Sequence, residues 1–318
     1  MKNNFNLIII FISSILLLSC GTERRYHKKR IDAGNNIPFV YFQKTVSKYD
    51  IYKGTEYYKN IPGNADSIEI FLFGSQTEIS NKQYSHFLNY LKRNDSIELY
   101  NKYKPDSLQW QIQKDKVIYS DSMFQYYNSH KSFLNYPVVN ITPEAANAYA
   151  LWLTKIEPDT LVYYRLFTQQ EWLLLFNDNK GVDSSFAWGG IYWRNYYGTK
   201  LGNYAEYDQS QIRYNRIEDY VYWENSDSVG YSYNLFGPRE VYSYNPNAWG
   251  AYNMSGNVAE IILDYFIKDE EIHCFTRGGS WSSPVFYLRK IAKEEYIVPS
   301  PFVGFRILKV KIKPNEKK

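Results

Sequence analysis

Signals for regular secondary structure are brief in this sequence, and long stretches rich in Asn, Gly, Tyr and Ser separate them. N-cap and capping-box patterns followed by apolar residues at helical spacing predict three helices, starting at Ser80–Gln83, Thr142–Pro143 and Thr168–Glu171. Strands are predicted in SIEIFLF (67–73), FTRGGSW (275–281) and VGFRILKV (303–310). Loops of this length are unusual in a compact domain unless something fixes them. We therefore expect one mixed α+β domain with much irregular backbone.

The N-terminus has the pattern of a targeting segment. Its apolar run, Phe5–Leu18, is too short to span a bilayer comfortably, which predicts a signal peptide over residues 1–19. The run ends in Leu-Leu-Ser-Cys, which resembles a bacterial lipobox, so Cys20 is expected to become the lipidated first residue. No acidic residue follows at Gly21 or Thr22, which favours the periplasmic face of the outer membrane. An ordinary secreted protein and an uncleaved anchor are the alternatives.

The expected organisation of the mature chain is a lipidated N-terminus and linker (20–37), one domain (38–312) with an insertion (93–136), and a tail (313–318). The formal charge of +4 is modest, and the lysines are spread apart from two runs at 24–30 and 309–318. Nucleic acid is therefore not an expected partner. Tyrosine is unusually frequent, with 33 in 318 residues, and favours an adhesive, protein-binding surface.

The usual catalytic patterns are missing from the sequence. It has four histidines, none spaced to share a metal ion with another, and it has no Walker loop, dinucleotide fingerprint or G-x-S-x-G elbow. Beyond Cys20 the one cysteine is Cys274, so the exported domain cannot form a disulfide within itself. His273 and Cys274 adjoin on a predicted strand and point to opposite faces, so they cannot hold one ion.

The stretch NPNAWGAYNMSGNVAEI (245–261) contains an N-x-x-G-N-x-x-E pattern, formed by Asn253, Gly256, Asn257 and Glu260. A turn at Gly-Asn would bring an amide oxygen and a carboxylate together with loop carbonyls, and calcium prefers such mixed oxygen ligands. The alternative is a simple turn with Glu260 in a salt bridge. Spacing alone favours this alternative.

Eight segments, in order, resemble the formylglycine-generating enzyme family, which is also called the sulfatase-modifying-factor domain. They span about Pro38 to Ile312, and one of them has Phe167 where the family has proline. The segments are EISNKQYSHFLNYL (78–91), YPVVNITPEAANAYALWL (136–153), YRLFTQQEW (164–172), FAWGG (186–190), GNYAE (202–206), WGAYNMSGNVAE (249–260), RGGSW (277–281) and VGFRI (303–307).

The resemblance implies a variant of the C-type lectin fold that is poor in regular structure and stabilised by calcium. The ligand set that it implies for one calcium site consists of Asn253, Gly256, Val258 and Glu260, with Gly256 and Val258 offering carbonyl oxygens. A second site would begin at Asn203 and Tyr204, with Asp227 as a candidate acidic partner. Structural roles are implied for Arg165, Glu171, Arg277, Gly278, Gly279, Trp281 and Arg306.

The resemblance also identifies what the chain lacks. In the catalytic family two cysteines bind copper(I), and their positions fall here on Ser283 and Leu288. Soft thiolates select copper(I), and a hydroxyl and an isobutyl group do not. Cys274 lies upstream of the turn and cannot replace either cysteine. We therefore expect a pseudo-enzyme without copper. The family's iron-dependent branch is not expected either, because the chain lacks that branch's histidine-rich helical domain.

The insertion resembles the corresponding stretch in lipoproteins of the gliding-motility and type IX secretion machinery of Bacteroidota, which are regarded as structural. This chain is shorter than typical members. The match is carried by Pro105, Asp106, Ser107, Trp110, Tyr126, Tyr127, Tyr136 and Pro137.

The expected function is therefore that of a lipid-anchored periplasmic adaptor that binds other envelope proteins, with a homo-oligomer or ring as a possible assembly. Two alternatives stay open. One is an oxidoreductase of the formylglycine-generating type with an unconventional site, and the other is a glycan-binding, lectin-like module.

Overall fold

The structure of the chain is a computed structural model, and it describes residues 37–48, 65–94, 96–112, 126–176, 185–205, 212–215, 220–223, 237–268 and 271–316. The signal peptide, Cys20 and Asp227 lie outside the described residues, so the predictions about them stay predictions. Among the described residues, no helix combines the length and the apolar character needed to cross a membrane.

The described elements are short, apart from four strands and two helices. The strands are β1 (Phe39–Lys48), β2 (Ala65–Ser75), β3 (Val162–Arg165), β4 (Ile212–Asn215), β5 (Tyr220–Trp223), β6 (Ala259–Lys268), β7 (Glu271–Arg277), β8 (Glu294–Tyr296), β9 (Val303–Phe305) and β10 (Leu308–Glu316). The α-helices are α1 (Asn81–Arg93), α2 (Ile97–Tyr103), α3 (Gln109–Ile112), α4 (Pro143–Ile156) and α5 (Gln169–Phe176). Short 3-10 helices cover Lys131–Phe133 and Val285–Leu288.

Two four-stranded sheets organise the domain. The first is antiparallel with the order β1-β2-β10-β3, and the second has the order β8-β7-β6-β9, in which β9 runs parallel to β6. In β2 the apolar side chains of Ile68, Ile70 and Leu72 alternate along the strand and enter the same core cluster as Trp172 of α5. Strands β4 and β5 form a separate hairpin. This mixture of helices and sheets with much irregular backbone confirms the predicted α+β class.

The three predicted helix starts are confirmed. Ser80 and Gln83 form a capping box at α1, and the Thr142 side chain accepts a hydrogen bond from the backbone N–H of Ala145 at α4. At α5, Thr168 and Glu171 make both bonds of a capping box, at 3.0 and 3.4 Å. The local side-chain pattern was sufficient to place these starts.

The segment VGFRILKV (303–310) differs from its prediction as one strand. It divides after Phe305, because β9 pairs with β6 of the second sheet whereas β10 pairs with β2 of the first. Arg306 lies at this division. Strand β10 also continues to Glu316, so the folded domain includes four residues that the sequence assigned to the tail.

The insertion 93–136 is part of the core at its described ends. Trp110 and Tyr127 are almost completely buried and belong to a cluster with Val258 and Trp281. The Trp110 and Trp281 rings stack with centroids 6.4 Å apart, and the Tyr127 hydroxyl donates to the Pro137 carbonyl at 2.7 Å. The described ends of the insertion are therefore packed into the domain and do not form a detachable surface module.

Candidate functional site

A buried ion pair lies where the two sheets meet. The Arg306 guanidinium donates to the Glu260 carboxylate from Nε at 3.0 Å and from Nη2 at 2.7 Å, and both side chains are about 1% exposed. Arg306 also donates to the carbonyl oxygens of Ser75 and Tyr252, and the Trp172 indole N–H donates to Glu260. A buried charge pair needs such complete hydrogen bonding to offset the loss of hydration. Arg306 thus binds the first sheet and the second together.

A second buried carboxyl, Glu78, lies close to this pair. Its Oε1 accepts from the Asn257 amide at 2.9 Å and its Oε2 from the Asn253 amide at 3.2 Å. Asn257 in turn accepts from the Asn203 amide and from the Arg239 backbone N–H. We name the set Glu78, Asn203, Asn253, Asn257, Glu260 and Arg306 the polar core.

The polar core contains two carboxyls and one described cation. Burial raises the pKa of Glu78 to about 8, the nearby Glu260 carboxylate adds to the rise, and Arg306 and the Asn257 hydrogen bond oppose it. Glu78 is therefore largely protonated at neutral pH. The protonated Glu78 leaves Arg306 to balance Glu260 alone.

Glycine is required where the polar core touches the RGGSW turn. Gly256 has φ +95°, and a Cβ atom there would lie 2.5 Å from the Asn203 carbonyl oxygen. Gly278 has φ +91°, and it too leaves no room for a side chain, because a Cβ atom there would lie 3.0 Å from the Met254 carbonyl oxygen. Both positions combine a left-handed backbone with close approach of another chain segment. The fold therefore fixes Gly256 and Gly278 sterically.

The four predicted calcium ligands lie in and beside the polar core, but their side chains do not fit a cation site as arranged. Both Glu260 oxygens accept from Arg306, and the Asn253 amide directs its nitrogen at Glu78 and at the Val241 carbonyl. Calcium binding stays a prediction. It requires the Glu260 carboxylate to give up its hydrogen bonds to Arg306 and to coordinate the ion in their place. Since Glu260→Gln would disturb the ion pair in either case, chelation of the wild-type protein is the cleaner test.

The second predicted calcium pair is also engaged with protein groups. Asn203 donates to the Gly237 carbonyl at 3.1 Å, and the Tyr204 hydroxyl donates to the Trp193 carbonyl at 3.0 Å. The Lys200 ammonium donates to the Tyr204 carbonyl at 3.1 Å. A lysine charge at that carbonyl opposes a divalent cation on the same oxygen.

The RGGSW turn leads into a serine network at the first of the family's cysteine positions. The Ser283 hydroxyl accepts from the Ser280 backbone N–H at 2.9 Å and lies 2.9 Å from the Ser280 hydroxyl. Arg277, the first residue of the turn, donates to the Lys290 carbonyl at 2.7 Å, so it ties the turn to the segment that follows. Ser283 therefore serves as a hydrogen-bonding residue directly after the turn.

An open cavity of about 440 Å³ lies beside this network, and we name it the serine cavity. Its polar wall includes Ser280, Ser282, Ser283 and Glu294, and Phe302 contributes an apolar wall. Burial raises the pKa of Glu294, and within the described part of the chain its carboxyl makes no ion pair. The cavity offers hydroxyls and a carboxyl, which suit a polar ligand.

Leu288, the second cysteine position, does not line the serine cavity. It is completely buried in a cluster with Phe186 and Tyr204. Cys274 is half-buried on β7, and burial raises the pKa of its thiol, which makes it a poor nucleophile at neutral pH. The structure thus separates Cys274 and Leu288 from the cavity lining.

Arg165 and Glu171 brace the start of α5. The two side chains form a bidentate ion pair with N–O distances of 2.7 and 2.6 Å. Burial would raise the pKa of Glu171, but the bonds from Arg165 and Thr168 lower it overall. Neither residue lines the serine cavity, and the ion pair has a structural role at the start of the helix.

These features define the class of the protein, a mixed α+β domain with a buried polar core beside a glycine-rich turn and a serine-lined cavity. The family described as the sulfatase-modifying factor enzyme 1-like domain (FGE-sulfatase) matches residues 49–311. The chain belongs to this family, and its fold is formylglycine-generating-enzyme-like.

Solved structures similar to this chain include two that match it over most of its length. CarF is 16% identical, with 89% of this chain and 100% of that chain covered and a TM-score of 0.49. PvdO from Pseudomonas aeruginosa is also 16% identical, with 86% and 92% covered and a TM-score of 0.47. No curated protein matches the chain.

Sequence reasoning did not single out Glu78 as a site residue, although it lies at the centre of the polar core. The available signal was its place at the start of EISNKQYSHFLNYL (78–91), one of the segments that resemble the family. Its partners Asn253 and Asn257 are 175 and 179 residues away along the chain. No local pattern reports such a contact.

Proposed function

We propose that this chain is a lipid-anchored, non-catalytic adaptor of the bacterial envelope, which binds other envelope proteins through exposed aromatic side chains. The proposal that the chain is non-catalytic is supported by the side chains at the family's two cysteine positions. Ser283 offers a hydroxyl engaged with Ser280, and Leu288 lies completely buried among aromatic side chains. Neither side chain binds copper(I).

The binding part is supported by a tyrosine loop, which we define as residues 189–200. Tyr196 and Tyr197 at its tip are 97% and 87% exposed, and their rings contact each other edge to face. The tip is held by Asn195, whose side-chain oxygen accepts from the backbone N–H groups of Tyr197 and Thr199. Rigid, exposed tyrosines bind protein surfaces with little loss of conformational entropy.

The resemblance of the insertion supports a finer proposal, that the partners belong to a gliding-motility or type IX secretion complex. Its matching residues Trp110 and Tyr127 are core residues here. Other parts of the insertion are exposed, including Leu108 and Tyr126. We propose that these exposed parts and the tyrosine loop contact the partners.

Site-specific crosslinking in cells tests the adaptor role. A photoreactive residue at Tyr196 is expected to capture a discrete envelope protein, whereas one at Tyr265, which is also exposed but lies on β6, serves as the matched control. The double substitution Tyr196→Ser and Tyr197→Ser should lower co-purification of that partner and leave the melting temperature unchanged. Capture at neither position, or equal capture at both, would contradict the proposed use of the loop.

Copper titration tests the non-catalytic role. The wild-type chain is expected to bind no stoichiometric copper(I), and it should consume no oxygen with a cysteine peptide. The variant with Ser283→Cys and Leu288→Cys is the matched control, because it restores both family cysteines. Stoichiometric capture and turnover by the wild-type chain would favour the oxidoreductase alternative.

The serine cavity supports a second candidate function, the binding of a glycan. Its serine hydroxyls, the Glu294 carboxyl and the Phe302 ring are groups that bind sugars by hydrogen bonds and apolar contact. A glycan array with the wild-type chain and a Glu294→Gln variant tests this candidate. Binding that Glu294→Gln abolishes would support it.

A further inference from the structure

The outward side of the first sheet carries lysine and aromatic side chains in cross-strand rows. In β2 the residues between the buried ones are Glu69, Phe71 and Phe73, and on β10 Lys309 is opposite Phe73 and Lys311 is opposite Phe71. Directly paired residues share a face of the sheet. We name this surface the lysine face, and its members are Tyr41, Lys44, Glu69, Phe71, Phe73, Lys309, Lys311 and Lys313.

The apolar part of the lysine face is continuous. The Tyr41 ring lies 5.5 Å from Phe73 and 6.4 Å from Phe71, measured between centroids. A shallow groove of about 400 Å³ runs between Phe71, Phe73 and Leu161 and has little polar surface. Aromatic side chains that are partly exposed beside charged groups suit a boundary between water and an apolar phase.

The charged part of the lysine face has an excess of cations. Four lysines lie on it, and among the described residues two carboxylates pair with three of them, since Glu69 lies 2.6 Å from Lys44 and 3.7 Å from Lys313, and Asp159 lies 3.4 Å from Lys311. The side chains of Lys311 and Lys313 are 50% and 64% exposed. Exposed ion pairs contribute little free energy, so these lysines can exchange their carboxylates for another anion.

We propose that the lysine face lies against anionic phospholipid head groups, an inference that rests on the membrane anchoring in the proposed function. Eighteen residues, 21–38, separate Cys20 from Phe39 of β1. Fully extended, they reach about 60 Å, so an anchored chain keeps this sheet at high local concentration near the bilayer. Weak attraction of each lysine to anionic lipid is then sufficient to orient the domain. An acidic protein or a second copy of the chain is the competing occupant.

Lysine footprinting of the full chain in vesicles tests the inference. The chain is reconstituted in vesicles of phosphatidylcholine, with or without phosphatidylglycerol, and an amine-reactive reagent labels lysines for peptide mass spectrometry. With phosphatidylglycerol, labelling of Lys44, Lys311 and Lys313 should slow by about threefold or more and should recover in high salt. Exposed Lys102 and Lys131, which lie in the insertion, are the internal controls and should label equally in both vesicles.

Paired variants sharpen the result. Substituting Lys311→Gln and Lys313→Gln should abolish the slower labelling of Lys44, and substituting Lys102→Gln and Lys131→Gln should preserve it. Equal labelling of Lys44 in both vesicles would overturn the inference while the proposed anchoring stands. Slower labelling of Lys44 than of Lys102 in vesicles without phosphatidylglycerol would also overturn it, because a second copy of the chain and not anionic lipid would then cover the face. Loss of the chain from washed vesicles would refute the anchoring and this inference with it.

Discussion

The polar core and the serine cavity adjoin the same RGGSW turn, but their carboxyl groups differ in burial and in hydrogen-bond partners. In the polar core Glu260 is fully buried, and three nitrogen donors from Arg306 and Trp172 reach its oxygens. In the serine cavity Glu294 is partly buried and makes no ion pair within the described residues. The difference separates a fully bonded carboxylate that joins two sheets from a carboxyl group that lines a cavity.

Removing the cation of the polar core is expected to have the largest effect. Arg306→Met leaves the Glu260 carboxylate buried without a counter-charge and should lower the free energy of unfolding by about 3–5 kcal/mol. Denaturant unfolding monitored by tryptophan fluorescence measures this change. The exposed Arg239→Met is the control and should stay within about 0.5 kcal/mol of wild type. Equal stability of both variants would mean that the ion pair does not hold the sheets together.

The insertion should behave as core and not as a separate module. Trp110→Ala removes a completely buried ring that stacks on Trp281, and it should cost about 3–4 kcal/mol of unfolding free energy. Leu108→Ala, two residues away and 58% exposed, should change little. A deletion of 93–136 that melts like the intact chain would contradict this assignment.

The protonated Glu78 makes the polar core sensitive to pH. Its pKa is about 8 when folded and 4.5 as its ordinary value, so the folded state holds the proton more tightly. Stability should therefore fall as pH rises from about 4.5 to about 8, by about 4–5 kcal/mol, and then level off. Glu78→Gln should flatten this slope, whereas the exposed Glu98→Gln should not. Urea melts across pH 4–9 that give the same slope for Glu78→Gln and wild type would show that another group titrates.

Changes in the serine cavity should have the smallest effect. Ser283→Ala removes one acceptor for the Ser280 backbone N–H and should cost about 1 kcal/mol, since one neutral hydrogen bond is lost. The exposed Ser132→Ala should cost nothing measurable. A loss as large as that of Arg306→Met would erase the distinction between the two regions.

The sequence predicted the features that depend on neighbouring residues. Ser80 and Gln83 are three positions apart, so the capping box at α1 was readable, as were the glycines of the RGGSW turn. The polar core could not be predicted in this way, because Glu78 and Asn257 are 179 residues apart in the sequence, and Arg306 and Ser75 are 231 apart. Such contacts arise from sheet pairing, which local propensity does not encode.

The division of VGFRILKV illustrates the same limit. Its apolar residues have the composition of one continuous strand, and nothing in the pattern indicates that β9 and β10 pair with different sheets. The resemblance placed VGFRI correctly within the family and still gave no reason for the division. The division lets the Arg306 side chain reach a carbonyl of the first sheet, at Ser75, and a carboxylate of the second, at Glu260.

The position of Arg306 at this division has a consequence for how the domain comes apart. If the first sheet detached alone, Arg306 would lose its hydrogen bond to the Ser75 carbonyl. If the second sheet detached alone, Arg306 and Glu260 would lose each other. Intermediates with one intact sheet are thus unfavourable, and the domain should melt in a single all-or-none transition. This cooperativity limits the partly open forms that proteases could attack.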